Sequence, residues 1–378
     1  MRLHEHEAKE LFRKNGIPVP VGRVARSGKE AEEIAGELNK PVVVKAQVLV
    51  GGRGKAGGIL LADSPKEAGE AAGSLLGKTI GGERGEAVLV EERIPVTREL
   101  YAGLTIDREK GCPVLMLGLE GGIYIEDKAK KNHEGFAYLP IDPLRKLMPF
   151  ETRNLVQQSG PGGDMGVKVA DILYRLYGLF EKHDALMAEI NPLGITAEGA
   201  AVALDAVFEI DDEALFRQPD FKALSQERLT DPLLREARKL GVSYVGLEGD
   251  IGVICSGAGL GLASVDIISR WGRPANFLET GGGITADLMA GAMRLIMRKP
   301  GLKGIFINIY GGINPIHEGA KGVARVIRED GITIPVVAKA LGNFQEETWR
   351  ILEEVGVTVF KTIDTEGAVE ILFRQVRS

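Results

Sequence analysis

Apolar and polar positions form a regular repeating pattern in the second half of the chain. Five apolar runs of strand length alternate there with segments in which apolar residues recur at helical spacing. The runs cover residues 251–255, 275–279, 304–310, 334–340 and 357–361, and the helical segments cover 260–270, 286–297, 317–329, 346–355 and 367–376. Successive strand–helix units of this kind predict a doubly wound parallel sheet, which is an α/β fold.

The first half of the chain has a less regular pattern. Helical spacing covers 3–15, 29–38 and 169–181, and strands are indicated by runs that start at Val42 and Ile59 and by 87–91, 100–106, 114–117, 186–195 and 200–207. The last two runs flank the turn sequence Thr196-Ala197-Glu198-Gly199 and predict an antiparallel pair. We therefore expect an α+β domain over residues 1–225, a polar linker at 226–240 and the α/β domain at 241–378.

A glycine-rich turn separates the strands that start at Val42 and Ile59. Residues 51–58 read Gly-Gly-Arg-Gly-Lys-Ala-Gly-Gly, so backbone amides are uncovered beside two cations. Lys45 lies inside the preceding β-branched run, where burial of a cation requires an anionic partner. These features favour a hairpin that closes over nucleotide phosphates. On composition alone, a flexible surface hairpin with solvated charges is an equal alternative. The spacing of the glycines and the lysine does not match a P-loop.

Composition and charge exclude some classes of protein. The net charge of −6 makes nucleic acid an unsuitable partner. Apolar runs fall short of the roughly 20 residues of a membrane span, and the N-terminus lacks the apolar core of a signal peptide. Cys112 and Cys255 both lie in apolar stretches, which predicts two buried thiols, a reducing compartment and a cytoplasmic location.

Glycine-rich turns follow three successive strands of the second half. They read Ser256-Gly257-Ala258-Gly259, Thr280-Gly281-Gly282-Gly283 and Gly311-Gly312-Ile313-Asn314. Ligands of doubly wound sheets bind at the carboxyl ends of strands, where helix N-termini and free amides point. Three such turns on one edge favour an anionic ligand over tight packing alone.

Oxygen ligands occur on the antiparallel pair at 186–207. Glu189 and Asn191 are two residues apart and share one face of a strand, and Asp205 can lie opposite them. Such groups suit Mg²⁺ bound together with nucleotide phosphates, although a polar face of an edge hairpin is an equal alternative. Glu91 and Glu99 taken by themselves are typical of solvated charges.

Taken in chain order, these motifs resemble those of the β subunits of succinate–CoA ligase. The resemblance also rests on Val90-Glu91, Glu99-Leu100-Tyr101, Ala188-Glu189-Ile190-Asn191-Pro192 and residues 214–220. It covers essentially the whole chain. It implies an N-terminal ATP-grasp nucleotide-binding fold followed by a flavodoxin-like CoA-ligase fold.

The resemblance implies a nucleotide site in the first domain. Its phosphates would lie at Lys45 and the turn Gly52-Arg53-Gly54, its base at the hinge from Glu91 to Ile94, and its ribose at Glu99. Asn191 and Asp205 would bind Mg²⁺. The catalytic carboxylate Glu189 would face a phosphohistidine that the partner chain supplies. The acid substrate would bind at Ser256 and at Gly312, Ile313 and Asn314.

The implied reaction joins succinate to CoA while ATP or GTP becomes the diphosphate and phosphate, through an acyl phosphate. The resemblance also implies a partner, an α subunit that carries the CoA site and the phosphohistidine, in an αβ or α2β2 assembly. None of the five histidines of this chain matches a catalytic position of the family. The turns depart from the family pattern at Ser256, usually Asn, at Glu279, usually Asp, and at 314–317. A malate- or citrate-like acid, and a regulatory nucleotide-binding subunit, therefore stay open as alternatives.

Overall fold

The computed structural model describes residues 1–122, 135–229, 231–313 and 315–377. The chain forms two compact units, Met1–Lys222 and Ala223–Ser378. Within the described ranges, no helix is both long and apolar enough to cross a membrane.

The first unit mixes helices with antiparallel strands, as its irregular pattern predicts. In chain order its elements are α1 (Glu5–Lys14), β1 (Gly22–Ala25), α2 (Gly28–Leu38), β2 (Val42–Ala46), β3 (Ile59–Ala62), α3 (Pro65–Leu75), β4 (Thr79–Ile80), β5 (Glu83–Arg84), β6 (Val88–Glu92), β7 (Arg98–Asp107), β8 (Cys112–Gly118), β9 (Phe136–Pro140), α4 (Pro149–Ser159), α5 (Gly163–Lys182), β10 (Ala185–Ile195), β11 (Ala201–Ala203), β12 (Val207–Ile210) and a 3₁₀ helix (Asp212–Arg217).

Two larger sheets organise this unit. One has the strand order β1-β6-β2-β3, and the other has the order β11-β10-β7-β8-β9 with β12 also paired to β10. Val42, Val44, Val88 and Val90 of the first sheet are buried in one core with α2 and α3. Because side chains alternate across a strand, the alternate positions of β2 and β6, Lys45 and Glu91 among them, lie on the opposite face.

The second unit contains the predicted doubly wound sheet. Its strand order is β13-β15-β14-β16-β17-β18, in which all neighbours are parallel except β13 and β15. A helix α6 (Pro219–Arg228) runs across the boundary between the units and precedes α7 (Pro232–Leu240), β13 (Ser243–Gly246), β14 (Ile251–Ser256), α8 (Ala258–Trp271), β15 (Asn276–Glu279), α9 (Ala286–Met297), β16 (Gly304–Gly311), α10 (Ile316–Asp330), β17 (Val336–Gly342), α11 (Gln345–Glu353), β18 (Thr358–Phe360) and α12 (Thr365–Arg377).

Three expectations from the sequence differ from the structure. Residues 226–240, expected to form a linker, hold the end of α6 and all of α7, whose start is capped by Asp231 and whose end is Gly241 in the left-handed conformation. The strand expected at 200–207 is interrupted, and Asp205 lies in the gap between β11 and β12. Cys255 is buried as predicted, but Cys112 is only half-buried.

Candidate functional site

A cavity of about 350 Å³ lies in the first unit. Its lining includes Lys45, the turn Gly52-Arg53-Gly54, Glu189, Asn191 and Asp205. The structure thus brings together the residues predicted for phosphate and for metal, which the sequence separates by more than a hundred positions.

The strand register explains why Lys45 and Glu91 meet. On the antiparallel pair β2 and β6, Val43 faces Glu91 and Lys45 faces Leu89, so Lys45 and Glu91 are diagonal neighbours on one face. Lys45 Nζ lies 2.7 Å from Glu91 Oε1. Glu91 is only 2% exposed, so the expectation of a solvated charge is wrong for this residue.

A second carboxylate, Glu5 of α1, lies at the centre of the charges. Its Oε1 is 3.0 Å from Lys45 Nζ and 2.8 Å from Lys9 Nζ, and its Oε2 pairs with Arg53. Lys9 also donates to both oxygens of Glu91, at 2.8 and 2.7 Å. The cluster of Glu5, Lys9, Lys45, Arg53, Glu91 and Asp205, called the charge cluster below, therefore holds three cations and three carboxylates.

The charges of the cluster stabilise one another against burial. Burial alone would raise the pKa of Glu5, but Arg53, Lys45 and Lys9 hold that pKa well below its ordinary value. Burial opposes the charge of Lys45, yet Glu5 and Glu91 raise its pKa. Both groups are therefore ionised at neutral pH, as buried charges that are paired and hydrogen-bonded can be.

Asp205 behaves differently from Glu5. Its pKa is raised by burial and by the nearby carboxylate of Glu5, which together outweigh the attraction of Arg53. Arg53 Nη2 donates to Asp205 Oδ1 at 2.7 Å, and Arg53 Nη1 donates to the carbonyl of Ala46 at 3.1 Å. The Asp205 side chain is 25% exposed, and this carboxylate lines the cavity.

The glycine-rich turn is ordered by its own backbone. The amide of Gly58 donates to the carbonyl of Arg53 at 2.8 Å, and the amide of Ala56 donates to that of Gly52 at 3.2 Å. Gly52 has a φ of 71°, which favours glycine, and a Cβ built there would have no atom within 4 Å. The backbone beside Arg53 is thus open on the side where an anion could approach closely.

The polar oxygens of the cavity fit a magnesium ion. Asn191 Oδ1 accepts from the amide of Gly122 at 2.8 Å, and Glu189 Oε2 accepts from the Tyr101 hydroxyl at 3.4 Å. The described residues contain no group of three His, Cys, Asp or Glu side chains that could hold a metal. One carboxylate and one amide suit Mg²⁺, which takes few protein ligands and completes its shell with phosphates and water.

The residues predicted for the base and the ribose are less well placed. Glu91, together with Lys9, lines a different cavity of about 540 Å³. Ile94 is half-buried, and Glu99 is exposed. Glu99 does lie at the edge of the first cavity, because a Cβ built on its lining residue Gly122 would be 3.1 Å from Glu99 Oε2.

The predicted acid-binding turns lie at the carboxyl edge of the second unit's sheet. Ser256 ends β14 and pairs with Ile309 of β16, close to Gly312. Ser256 Oγ donates to the carbonyl of Gly281 at 3.2 Å. Asn343 Nδ2 donates to the carbonyls of Gly312 and Ile313 at 3.1 and 3.2 Å. Asn314 lies outside the described residues.

Glu279 connects two of these turns. Its Oε1 accepts the amide of Gly257 at 2.9 Å and the amide of Gly281 at 2.6 Å. The last residue of β15 thus holds together the turns that follow β14 and β15. Sequence reasoning noticed Glu279 only as a departure from the family pattern and gave it no role.

Glu5 and Lys9 were also missed. The sequence feature that could have pointed to them is Lys45 inside β2, because a buried cation requires a buried anionic partner elsewhere in the chain. Helical spacing places Glu5 and Lys9 on one face of α1, and this pairing by itself is typical of a solvated helix surface.

Comparison with known proteins decides the family. An ATP-grasp domain model matches residues 2–195, and a CoA-ligase model matches residues 254–371. The chain is 46% identical over 363 residues to the β subunit of a GDP-forming succinate–CoA ligase from Thermus thermophilus, and the match covers 96% of each. The chain belongs to the family of succinate–CoA ligase β subunits.

Other members of this family form a different nucleotide. The β subunit of an ADP-forming succinate–CoA ligase from Aquifex aeolicus is 42% identical over 388 residues, which covers 99% of this chain and 100% of that one. Among solved structures, ATP citrate lyase from Methanothrix soehngenii superposes with a TM-score of 0.77 over 99% of both chains at 19% identity. That likeness confirms the fold, and the predicted ligase class is confirmed by the family.

Proposed function

We propose that this chain is the β subunit of an enzyme that joins succinate to CoA while it converts ATP or GTP to the diphosphate and phosphate. The observation that carries the proposal is the cavity in which Lys45, Arg53, Asn191 and Asp205 meet. The proposal of succinate as the acid rests on the names of the relatives. These relatives include both GDP-forming and ADP-forming enzymes, so we propose no preference between guanine and adenine nucleotides.

The residues of the cavity have separate tasks in phosphoryl transfer. Lys45 and Arg53 neutralise charge on the phosphates, and the open amides beside Gly52 bind phosphate oxygens. Asn191 and Asp205 hold Mg²⁺, which when bound spreads the negative charge that develops in the transfer. Glu189, held by Tyr101, faces the acceptor histidine.

A partner must complete the reaction. We infer an α subunit that supplies the histidine and the CoA site, in an αβ or α2β2 assembly, because the described lining of the cavity holds no histidine. The phosphohistidine then passes its phosphoryl group to the acid at Ser256, Gly312, Ile313 and Asn314. CoA displaces phosphate from the acyl phosphate. We also propose a cytoplasmic location, which the two free cysteines support because thiols persist in a reducing compartment.

A different carboxylic acid is the second candidate. It is favoured by hydrogen bonds between the predicted acid-binding turns. Ser256 Oγ donates to the carbonyl of Gly281, and Glu279 Oε1 accepts from the amide of Gly257. A hydroxyl in place of an amide leaves more room and one donor fewer for the acid.

The test is a coupled assay of this chain reconstituted with its α subunit, across several acids and both nucleotides. The proposal expects the highest kcat/KM with succinate. A higher kcat/KM with malate or a citrate-like acid would move the assignment to that acid. Nucleotide binding without turnover on any acid would favour a regulatory subunit.

A further inference from the structure

Asp205, the charged metal ligand of the proposed site, is already paired with a cation of the chain itself. Arg53 Nη2 lies 2.7 Å from Asp205 Oδ1, a hydrogen-bonded distance. Both residues line the cavity in which phosphate and metal would bind. The side chain that should bind phosphate is thus bound to the side chain that should bind metal.

The rest of the charge cluster determines which ion pair can exchange. Lys9 and Lys45 each contact Glu5 and Glu91, and the side chains of these four residues are at most 7% exposed. Asp205 has a quarter of its side chain exposed, and its described ion pair is the one with Arg53. The Arg53–Asp205 pair is therefore the part of the cluster that a ligand can reach.

Neither ligand can bind well alone. A magnesium ion at Asp205 would lie beside the guanidinium of Arg53, and the two cations repel each other. A nucleotide that took Arg53 without metal would leave the Asp205 carboxylate unpaired and facing phosphate oxygens. When both arrive, Mg²⁺ replaces Arg53 at Asp205 and the phosphates replace Asp205 at Arg53.

We propose that the Arg53–Asp205 ion pair couples the binding of metal and nucleotide, with Arg53 holding the place of Mg²⁺ in the ligand-free chain. This inference rests on the proposed function, since it needs a nucleotide at Lys45 and Arg53. By thermodynamic reciprocity, each ligand strengthens the binding of the other by the same factor.

The first experiment measures ADP binding to the full chain by calorimetry, with Mg²⁺ and in chelator. In chelator, Asp205→Asn should bind ADP about tenfold more tightly than the natural chain, because Arg53 loses one of its two described carboxylate partners, keeps Glu5, and can turn to the phosphates. Glu189→Gln is the matched control. It also removes one carboxylate from the cavity lining, and a described hydrogen bond joins Glu189 to the Tyr101 hydroxyl.

The second experiment measures the metal without nucleotide, with Mn²⁺ as a spectroscopic probe. Arg53→Gln should bind Mn²⁺ at least fivefold more tightly than the natural chain, because the place of the metal is no longer occupied. This variant leaves Asp205 unchanged, so it tests the coupling independently of Asp205→Asn.

The outcomes distinguish a failure of the proposed coupling from a failure of the proposed function. An increase in ADP affinity with Asp205→Asn, absent with Glu189→Gln, supports the coupling. Equal responses of the two variants, or Mn²⁺ binding unchanged by Arg53→Gln, would overturn it while leaving the proposed function intact. If the natural chain binds no ADP even with Mg²⁺, the proposed function fails and the inference with it.

Discussion

At the scale of single residues, Glu5 has the largest structural role in the site. It is 4% exposed and contacts Lys9, Lys45 and Arg53. Removing one partner of a buried ion pair leaves uncompensated charge, which is more costly than losing a surface pair.

Glu5→Gln should therefore destabilise the fold. We expect a loss of about 3–5 kcal/mol in the free energy of unfolding, since three buried cations would be left with two carboxylates. Denaturant titration of the chain measures this. Glu10→Gln on the same helix is the control, because Glu10 pairs with Arg13 and Lys14 at the surface and should change stability by less than about 1 kcal/mol. Equal losses in the two variants would contradict the central role of Glu5.

The pKa of Glu5 also predicts how stability depends on pH. Its pKa in the folded chain is well below the ordinary value of 4.5, so the unfolded chain takes up a proton first as pH falls. The stabilisation by Glu5 is fully present above that ordinary value and is lost as pH falls towards the folded pKa. Thermal unfolding from neutral to acid pH should show a steeper decline for the natural chain than for Glu5→Gln. Parallel curves would count against this linkage.

At the scale of elements, the polar side chains of the proposed sites lie at or near strand ends, and the apolar side chains that stabilise the fold lie on the faces covered by helices. The valines of β2 and β6 face α2 and α3, and the alternate positions on the other face hold Lys45 and Glu91. In the second unit, Ser256 and Glu279 end neighbouring strands and tie their turns together. Side chains at those ends determine how far apart the turns lie.

Ser256→Asn should change which acid the enzyme prefers. The serine hydroxyl donates to Gly281, and a longer amide both alters that link and adds a donor at the edge of the sheet. If succinate is the native acid, its KM should change by a modest factor, and if another acid is native, preference should move towards succinate. Ratios of kcat/KM across acids measure this, with Ser269→Asn on the exposed face of α8 as control. Unchanged ratios would mean that Ser256 does not line the acid site.

At the scale of the whole molecule, the proposed function gives the two units different parts of one reaction. The first holds the cluster for phosphate and metal, and the second presents amides at the carboxyl edge of a parallel sheet. The described lining of the cavity that holds Asp205 and Glu189 includes no histidine. On the proposed function, the nucleophile therefore comes from the α subunit.

The purified chain should therefore bind nucleotide but form no acyl-CoA. Mixing it with the α subunit should restore turnover, because the histidine and the CoA site then become available. Calorimetry measures the first property, and a thiol-release or acyl-CoA assay measures the second. Ligase turnover by the chain alone, after a check for contaminating α subunit, would contradict the assignment.

The sequence predicted those features that neighbouring residues encode. The parallel strands were placed to within about two residues because β-branched runs mark buried strands. Helix α3 was missed because alanine and glycine dominate it and leave few large apolar residues to show a period. Short β13 was missed because only an edge pairing with β15 defines it. Charged contacts were missed for another reason, since Glu5 meets Lys45 across 40 positions and Arg53 meets Asp205 across 152.

The balance of charge in the cluster has a kinetic consequence. Three cations and three carboxylates within a few ångströms cancel at long range, so an approaching nucleotide experiences little attraction from them until contact. Nucleotide association, followed by stopped flow, should therefore slow only slightly as salt is added, whereas an unbalanced basic cleft shows a steep decline. On the proposed function, the cations of the charge cluster therefore act after encounter, on the dissociation rate of the nucleotide.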